Sequence, residues 1–301
     1  MQAHGTHASE ARVSRSFLFV PGDSERKLVK AVACDADALI VDLEDSVDAA
    51  NRSKARQQVQ SFLQQQVDAD LWVRINPLDT EDALRDLQAI IPSAPYGIVL
   101  PKPESADDVK RLSSYLDDLE CEHDIRPGST QILPIVTERP AALFKLHEYA
   151  NETARLAGLT WGAEDLSAAV GASANRDSDG HWLPPYELAR SLCLFAAAAA
   201  AVPAIDTVYT DFRDSQGLAK SADNARRDGF SGMLAIHPEQ VPIINAAFVP
   251  TADEIQRAER IVQLFADNEG VGVLQLDGEM IDRPHYVQAQ RILATARRIT
   301  K

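Results

Sequence analysis

Short apolar runs alternate with longer polar segments along most of this chain, and polar residues follow directly after the runs. Eight of the runs are rich in Val, Ile and Leu, which predicts β-strands. They are apolar on consecutive residues, as is typical of parallel strands that are covered on both faces. The runs cover residues 17–20, 38–43, 71–75, 96–100, 131–136, 156–161, 205–209 and 233–236.

A segment of helical periodicity follows each run, although the sixth helix begins only after an irregular stretch at 172–185. Ser24 and Ser105 are predicted to cap two of these helices. Eight strands that each lead into a helix predict a (β/α)8 TIM barrel, a count that a doubly wound sheet would not naturally produce. The predicted helices cover about 24–33, 51–66, 80–91, 105–120, 140–150, 186–201, 215–229 and 238–248.

The chain continues beyond the eighth unit, and this extension lies outside the barrel count. A helix is predicted over about 251–267, a hairpin or flap with an Asp277-Gly278 turn over 270–282, and a last helix over about 284–298. We therefore predict a flexible N-terminal tail at 1–14, a barrel at 15–249, and a lid or oligomer contact at 250–301.

Composition narrows the partners and the compartment. The 301 residues include 30 Lys and Arg against 45 Asp and Glu, for a formal charge of −15, which disfavours nucleic acid and anionic membranes as partners. The three cysteines show no metal-site or disulfide spacing. The N-terminus lacks the apolar core of a signal peptide, so we expect a cytoplasmic protein without a membrane anchor.

Carboxylates follow two neighbouring strands. Glu138 comes after the fifth predicted strand, and Glu164 and Asp165 come after the sixth. The carboxyl ends of barrel strands meet at one face, where an active site normally lies. Because Mg²⁺ takes one or two protein carboxylates and keeps other positions for substrate oxygens, this pattern predicts a magnesium site. The alternative is that Glu138 and Glu164 only cap the next helices.

Other charged residues occupy the same end of the predicted barrel. Arg74 ends the third strand, where its guanidinium suits a carboxylate or enolate oxygen; a salt bridge to Glu44 or Asp45 is the alternative, and both interpretations are compatible. Lys102 is either a Schiff-base lysine or, as we favour among so many carboxylates, a charge-balancing one. His237 has a structural or a ligand role.

The loop from Pro21 to Lys27 joins the first strand to its helix. Backbone amides, a helix start, Arg26, Lys27 and Lys30 together suit a phosphate-bearing ligand. The loop matches neither the Walker pattern nor the dinucleotide fingerprint, so a merely solvated first helix is the alternative.

Taken together, these motifs resemble the citrate lyase β-subunit-like family of CoA-ester lyases, the HpcH/HpaI aldolase/citrate lyase family. The similarity extends from about residue 15 to 292. Its motifs are RSFLFVPGD at 15–23, DLED at 42–45, VRIN at 73–76, LPK at 100–102, TE at 137–138, GAEDL at 162–166, PAID at 203–206, IHP at 236–238 and GEMID at 278–282.

The resemblance implies a magnesium-dependent reversible cleavage of a 3-hydroxyacyl-CoA to an acyl-CoA and a 2-oxo acid. It also implies a homo-oligomer, commonly a trimer in this group. Residue by residue, it assigns the metal to Glu138 and Asp165, catalysis to Arg74, Glu44 and Asp282, and the CoA phosphates to Pro21, Arg26 and Lys30. Asp282 would act as an acid or base in a neighbouring subunit's site.

Two segments depart from the family pattern, namely the residues after Glu138 and the stretch 172–185. Both flank the predicted mouth, so the acyl substrate stays open. The alternatives are a malyl-CoA-type thioesterase, a metal-dependent aldolase that uses free 2-oxo acids, and a citrate lyase β-subunit acting on an acyl carrier protein thioester. A non-enzymatic interaction subunit is the weakest interpretation, because Arg74, Glu138 and Asp165 are all present.

Overall fold

The computed structural model describes residues 14–150 and 153–299. The predicted N-terminal tail therefore lies outside the described residues, except for Ser14. The described chain divides into two compact units, residues 14–245 and residues 246–299, and each is considered by itself.

Eight parallel strands and their helices form the first unit. The strands are β1 Ser16–Pro21, β2 Ala38–Asp42, β3 Asp70–Arg74, β4 Gly97–Leu100, β5 Gln131–Pro134, β6 Leu159–Thr160, β7 Ala204–Asp206 and β8 Gly232–Ala235. The helices are α1 Glu25–Val32, α2 Arg52–Leu63, α3 Glu81–Ile90, α4 Ala106–Glu122, a 3₁₀ helix at Pro140–Tyr149, α5 Ala163–Ala169, α6 Pro184–Ala199, α7 Ser215–Asp228 and α8 Gln240–Ala247.

The strands follow one another in the order β5-β4-β3-β2-β1-β8-β7-β6, which confirms the predicted (β/α)8 barrel. The remaining seam lies between β5 and β6. Isolated parallel bridges join Ile132 to Leu156 and Ile135 to Thr160 there, and the Val136 amide donates to the Thr160 carbonyl at 2.8 Å. The barrel is therefore nearly closed, with its most sparsely paired strands at this seam.

The consecutive apolar runs are explained by burial on both faces of each strand. Alternate side chains fill the barrel interior, among them Phe17, Ile40, Trp72, Val99 and Leu133, and they form one cluster. The intervening side chains are buried as well, beneath the helices. Every position in β2 is buried for this reason, including its last residue, a carboxylate.

The two predicted serine caps have different outcomes. The Ser105 side chain accepts a hydrogen bond from the Asp107 amide, as predicted for the start of α4. The prediction for Ser24 is wrong, because its side chain makes no capping bond. Its backbone carbonyl instead accepts the amides of Lys27 and Leu28, so the first turn is closed by the main chain.

The second unit contains the predicted hairpin between two helices. Helices α9 Ala252–Ala266 and α10 Arg283–Ile299 flank the antiparallel strands β9 Val273–Leu276 and β10 Glu279–Asp282. Its core is a small apolar cluster around Ile261 and Ile281. No helix in the described parts of the chain is long and apolar enough to cross a membrane.

Candidate active site

Strand register brings a buried aspartate and an arginine together at the carboxyl end of the barrel. Asp42, the last residue of β2, is the direct partner of Arg74, the last residue of β3. The guanidinium donates two hydrogen bonds of 2.7 Å to the two oxygens of Asp42. Burial opposes ionisation of Asp42, but Arg74 outweighs it and lowers the pKa of the carboxyl. Asp42, for which the sequence predicted no role, therefore fixes the orientation of Arg74.

Asp42 also shapes the loop that carries Glu44. Its oxygens accept the amides of Glu44 and Ser46 at 3.0 and 3.1 Å. Glu44 is buried, and one of its oxygens lies 3.1 Å from Nη1 of Arg74 while the other accepts from the ammonium of Lys102. Burial raises the pKa of Glu44 despite these two cations. The predicted salt bridge of Arg74 to Glu44 is confirmed, and because Arg74 also lines a cavity its role toward a ligand stays a prediction.

Lys102 lies among the carboxylates of the site. Its ammonium contacts Glu44, lies 3.2 Å from Asp45 and 3.3 Å from Asp165. Burial disfavours the charged form, but Glu44 and then Asp165 outweigh it and raise the pKa of Lys102. A lysine held in its charged form is a poor nucleophile, so these contacts favour the charge-balancing interpretation over the Schiff base.

Glu138 and Asp165 face each other across the β5–β6 seam. Glu138 is almost completely buried, and its Oε2 accepts the backbone amide of Lys102 at 2.5 Å. Burial raises the pKa of Glu138, and the negative charge of Asp165 raises it further, to about 8. Gly162 leaves the space that Glu138 occupies, because a Cβ at this position would lie 2.7 Å from Cγ of Glu138.

This donor set fits a hard divalent cation. Burial and the nearby Asp165, which is about one-third exposed, both disfavour the charged form of Glu138. A cation that binds to both carboxylates stabilises their negative charges. Oxygen ligands of this kind suit Mg²⁺. Glu164, the other acid after β6, lines the same cavity, but it is exposed and its side chain accepts a hydrogen bond from Asn175.

One cavity of about 960 Å³ brings most of the predicted site residues of the barrel together. Arg74, Glu138 and Asp165 line it, and so do Pro21, Arg26 and Lys30, whereas Glu44 is not among its lining residues. Arg26 and Lys30 are exposed, so their charges face solvent or ligand. A cavity of this volume accommodates a large ligand that carries both a polar acid end and an anionic tail.

A wall of the cavity that sequence reasoning missed is built on Trp161. The indole nitrogen donates a 2.6 Å hydrogen bond to Asp206 at the end of β7, and Arg190 from α6 binds the same carboxylate at 2.9 Å. Trp182 packs against Trp161 edge to face, with 5.0 Å between ring centroids. In the sequence, Trp161 and Asp206 both lie within predicted apolar runs, so the available signal was a polar group inside a run.

Of the two remaining predicted residues, one lines the cavity and the other belongs to the second unit. His237 lines the cavity, and its ring stacks on Phe212 with centroids 4.8 Å apart. Asp282 belongs to the second unit, where its Oδ1 lies 2.6 Å from Nδ1 of His285. Its role as an acid or base in a neighbouring subunit stays a prediction.

Comparison with known proteins gives consistent matches. The model of the HpcH/HpaI aldolase/citrate lyase family matches residues 15–238. Citrate lyase subunit beta of Escherichia coli is 34% identical over 291 residues, which cover 95% of this chain and 94% of that protein. A (3S)-malyl-CoA thioesterase of Cereibacter sphaeroides is 33% identical over 299 residues, which cover 97% of this chain and 98% of the relative.

Solved structures show the same architecture. The crystal structure of protein CitE from Mycobacterium tuberculosis in complex with magnesium, acetoacetate and coenzyme A aligns with a TM-score of 0.79 at 31% identity. The alignment covers 94% of this chain and 98% of that one.

Proposed function

Because the chain belongs to the HpcH/HpaI aldolase/citrate lyase family, we propose that it is a magnesium-dependent carbon–carbon lyase. The proposed substrate is a 3-hydroxyacyl-CoA of the citramalyl-CoA or malyl-CoA type, cleaved to an acyl-CoA and a 2-oxo acid such as pyruvate or glyoxylate. The observation that carries the proposal is one cavity lined by the carboxylates of Glu138 and Asp165, by the oriented Arg74 and by a cluster of exposed basic side chains. The magnesium, acetoacetate and coenzyme A of the CitE complex support the same assignment.

Glu138 and Asp165 are the residues that would hold the ion. Bound Mg²⁺ supplies Lewis acidity toward the oxygens of the 2-oxo acid. The proton that Glu138 holds when no cation is bound must leave before its carboxylate acts as a ligand, so binding is favoured by rising pH.

Arg74 supplies fixed positive charge where the oxo acid lies. Asp42 occupies two of its five N–H groups and locks the plane of the guanidinium. The remaining N–H groups are oriented without further rearrangement, which is the property that stabilises charge developing during cleavage. Both oxygens of Glu44 contact cations, so its contacts support a role in positioning Arg74 and Lys102 rather than in touching substrate.

The carbon–carbon cleavage needs removal of the 3-hydroxyl proton and return of a proton to the acyl carbon. We propose that Asp282 of another copy carries this proton. Arg26, Lys27 and Lys30 would bind the phosphates of the CoA tail, with Pro21 at the base of their loop. Such a basic cluster is conspicuous in a chain of net charge −15.

The test is to incubate the protein with Mg²⁺ and a panel of 3-hydroxyacyl-CoAs and to measure 2-oxo acid and free thiol separately. Oxo acid without free thiol is the expected result. Asp165→Asn should lower turnover about 100-fold or more without unfolding the chain, because part of the metal's charge stabilisation is lost. Asp223→Asn on α7 is the matched control and should leave turnover unchanged.

The malyl-CoA thioesterase is the second candidate, because one relative of that name is 33% identical over nearly the whole chain. Free thiol without oxo acid would favour it. Inactivity on every CoA ester, with cleavage of free hydroxy-oxo acids, would contradict both and favour an aldolase. Activity only on a carrier protein thioester would favour the role that citrate lyase subunit beta has by name.

A further inference from the structure

Lys102 has a backbone conformation that is unusual for a residue other than glycine. It lies between Pro101 and Pro103, and its φ of 51° is in the left-handed region that side chains other than glycine rarely adopt. Such a conformation is strained, and it persists where surrounding contacts impose it. Here the contacts are visible, because this conformation aims the Lys102 amide at Glu138 and its ammonium at Asp165.

One residue therefore contacts both carboxylates of the acidic pair. Its amide donates to Oε2 of Glu138 at 2.5 Å, and its ammonium lies 3.3 Å from Oδ1 of Asp165. The other cation of the site, Arg74, is directed to Asp42 and Glu44. Lys102 is thus the link between the acidic pair and the acidic β2 loop, where its ammonium also contacts Glu44 and Asp45.

We infer that Lys102 is a positioning residue that holds Glu138 and Asp165 in place and limits how tightly they bind a divalent cation. This inference rests on the proposed metal site. The ammonium already neutralises part of the charge on Asp165, so a cation that binds this carboxylate must share it with a resident positive charge. Two positive charges on one carboxylate repel each other, and the partly buried setting screens that repulsion less than water does.

The main chain and the side chain of Lys102 therefore have different roles. The backbone amide orders Glu138 whatever the side chain is, whereas the ammonium adds a positive charge beside Asp165. Removing only the ammonium should therefore tighten cation binding rather than weaken it, although the same substitution should lower turnover by loosening Asp45 and Asp165. If Lys102 had a purely structural role, its substitution would weaken cation binding and also lower turnover.

The test is calorimetric titration of Mn²⁺ into the metal-free protein at fixed ionic strength. Lys102→Met should bind Mn²⁺ about tenfold more tightly than the wild type. Lys102→Arg, which keeps the charge, should bind within about twofold of the wild type. Lys54→Met is the matched control, because it removes one exposed lysine on α2 and changes the net charge equally; its affinity should not change.

Lys102→Gly provides a second neutral variant that tolerates positive φ and keeps the amide. It should show the same tightening, and Mn²⁺ should raise its unfolding midpoint more than that of the wild type. Equal or weaker binding in both neutral variants, while Asp165→Asn loses binding, would overturn the role of Lys102 alone. Unchanged binding in Asp165→Asn would overturn the metal site, and the inference with it.

Discussion

Glu120 is a buried carboxylate away from the cavity, and several donors satisfy its two oxygens. Its side chain is fully buried at the end of α4. It accepts the amides of Gly128 and Thr130 at 2.7 and 2.9 Å, and the guanidinium of Arg155 at 2.6 and 2.8 Å. Burial opposes its ionisation, but Arg155 and the amides outweigh it and lower the pKa of Glu120 to about 2.

Glu120→Gln should destabilise the protein by about 3 kcal/mol at pH 7, because it removes the buried carboxylate partner of the Arg155 guanidinium and leaves only the largely exposed Asp117 to pair with it. The folded-state pKa lies below the ordinary value, so this stabilisation is complete above about pH 4.5 and is lost as the pH falls through about 2. Urea unfolding between pH 7 and pH 3.5 checks this. The difference between variant and wild type should shrink toward low pH, and a constant difference would contradict the argument.

Site residues were predictable from the sequence where their position at the end of a strand was enough to identify them. Glu138 and Asp165 were predicted because acids that follow adjacent parallel strands must share one face of the barrel. Asp42 was not, because its importance arises from register: only pairing of β2 with β3 shows that it lies opposite Arg74. Trp161 was missed for the same reason, since Asp206 meets it only across β6 and β7.

At the scale of elements, the junction between β6 and α5 controls the acidic pair. Gly162 precedes α5, and it carries no side chain that could crowd Glu138. Thr137 ties this junction to the end of β5, because its hydroxyl accepts the Gly162 amide at 3.1 Å. The junction therefore sets the space that is available to Glu138.

Gly162→Ala should lower turnover about tenfold or more while the chain stays folded, since the new Cβ would lie 2.7 Å from Cγ of Glu138 and displace this carboxylate. The backbone of Gly162 has a φ of −115°, which alanine adopts readily. Gly272→Ala is the control, because an added Cβ there contacts nothing within 4 Å in the described structure. Steady-state kinetics and circular dichroism separate the two effects, and full activity in Gly162→Ala would contradict this account.

The elements themselves were predictable from periodicity, because parallel strands buried on both faces leave an unmistakable series of apolar runs. The boundaries were less so. β6 is only two residues long, although its apolar run predicted six. Before β6, Leu156 makes only an isolated bridge to Ile132, and after β6 the chain leaves the ladder at Trp161 to form the cavity wall. An apolar run indicates which residues are buried, and the buried segment here is longer than the hydrogen-bonded strand.

At the scale of the whole molecule, the C-terminal unit carries the one predicted catalytic residue that the barrel does not contain, Asp282. The assembly into a homo-oligomer, and the trimer in particular, stay predictions from the resemblance. They concern contacts between copies, which one chain's sequence encodes only indirectly.

If Asp282 acts in a neighbouring copy's site, an Asp282→Ala protein mixed with an Arg74→Ala protein should recover about a quarter or less of wild-type turnover, because only mixed assemblies contain an intact site. Each variant alone should be nearly inactive. Turnover after mixing, with subunit exchange followed by a fluorescent label, is the measurement. Exchange without any recovery would show that each copy supplies its own acid or base.

The seam between β5 and β6 allows the distance between the two carboxylates of the proposed cation site to vary. Glu138 and Asp165 lie on its two sides, and their separation depends on a few main-chain bonds, such as that from Val136 to Thr160, rather than on a full ladder. If these carboxylates hold the ion, its size selectivity is a mechanical property of the barrel wall. The site would then select cations by ionic radius according to how far one strand can move relative to the other. Substitutions along this seam would change the preferred metal without altering either ligand.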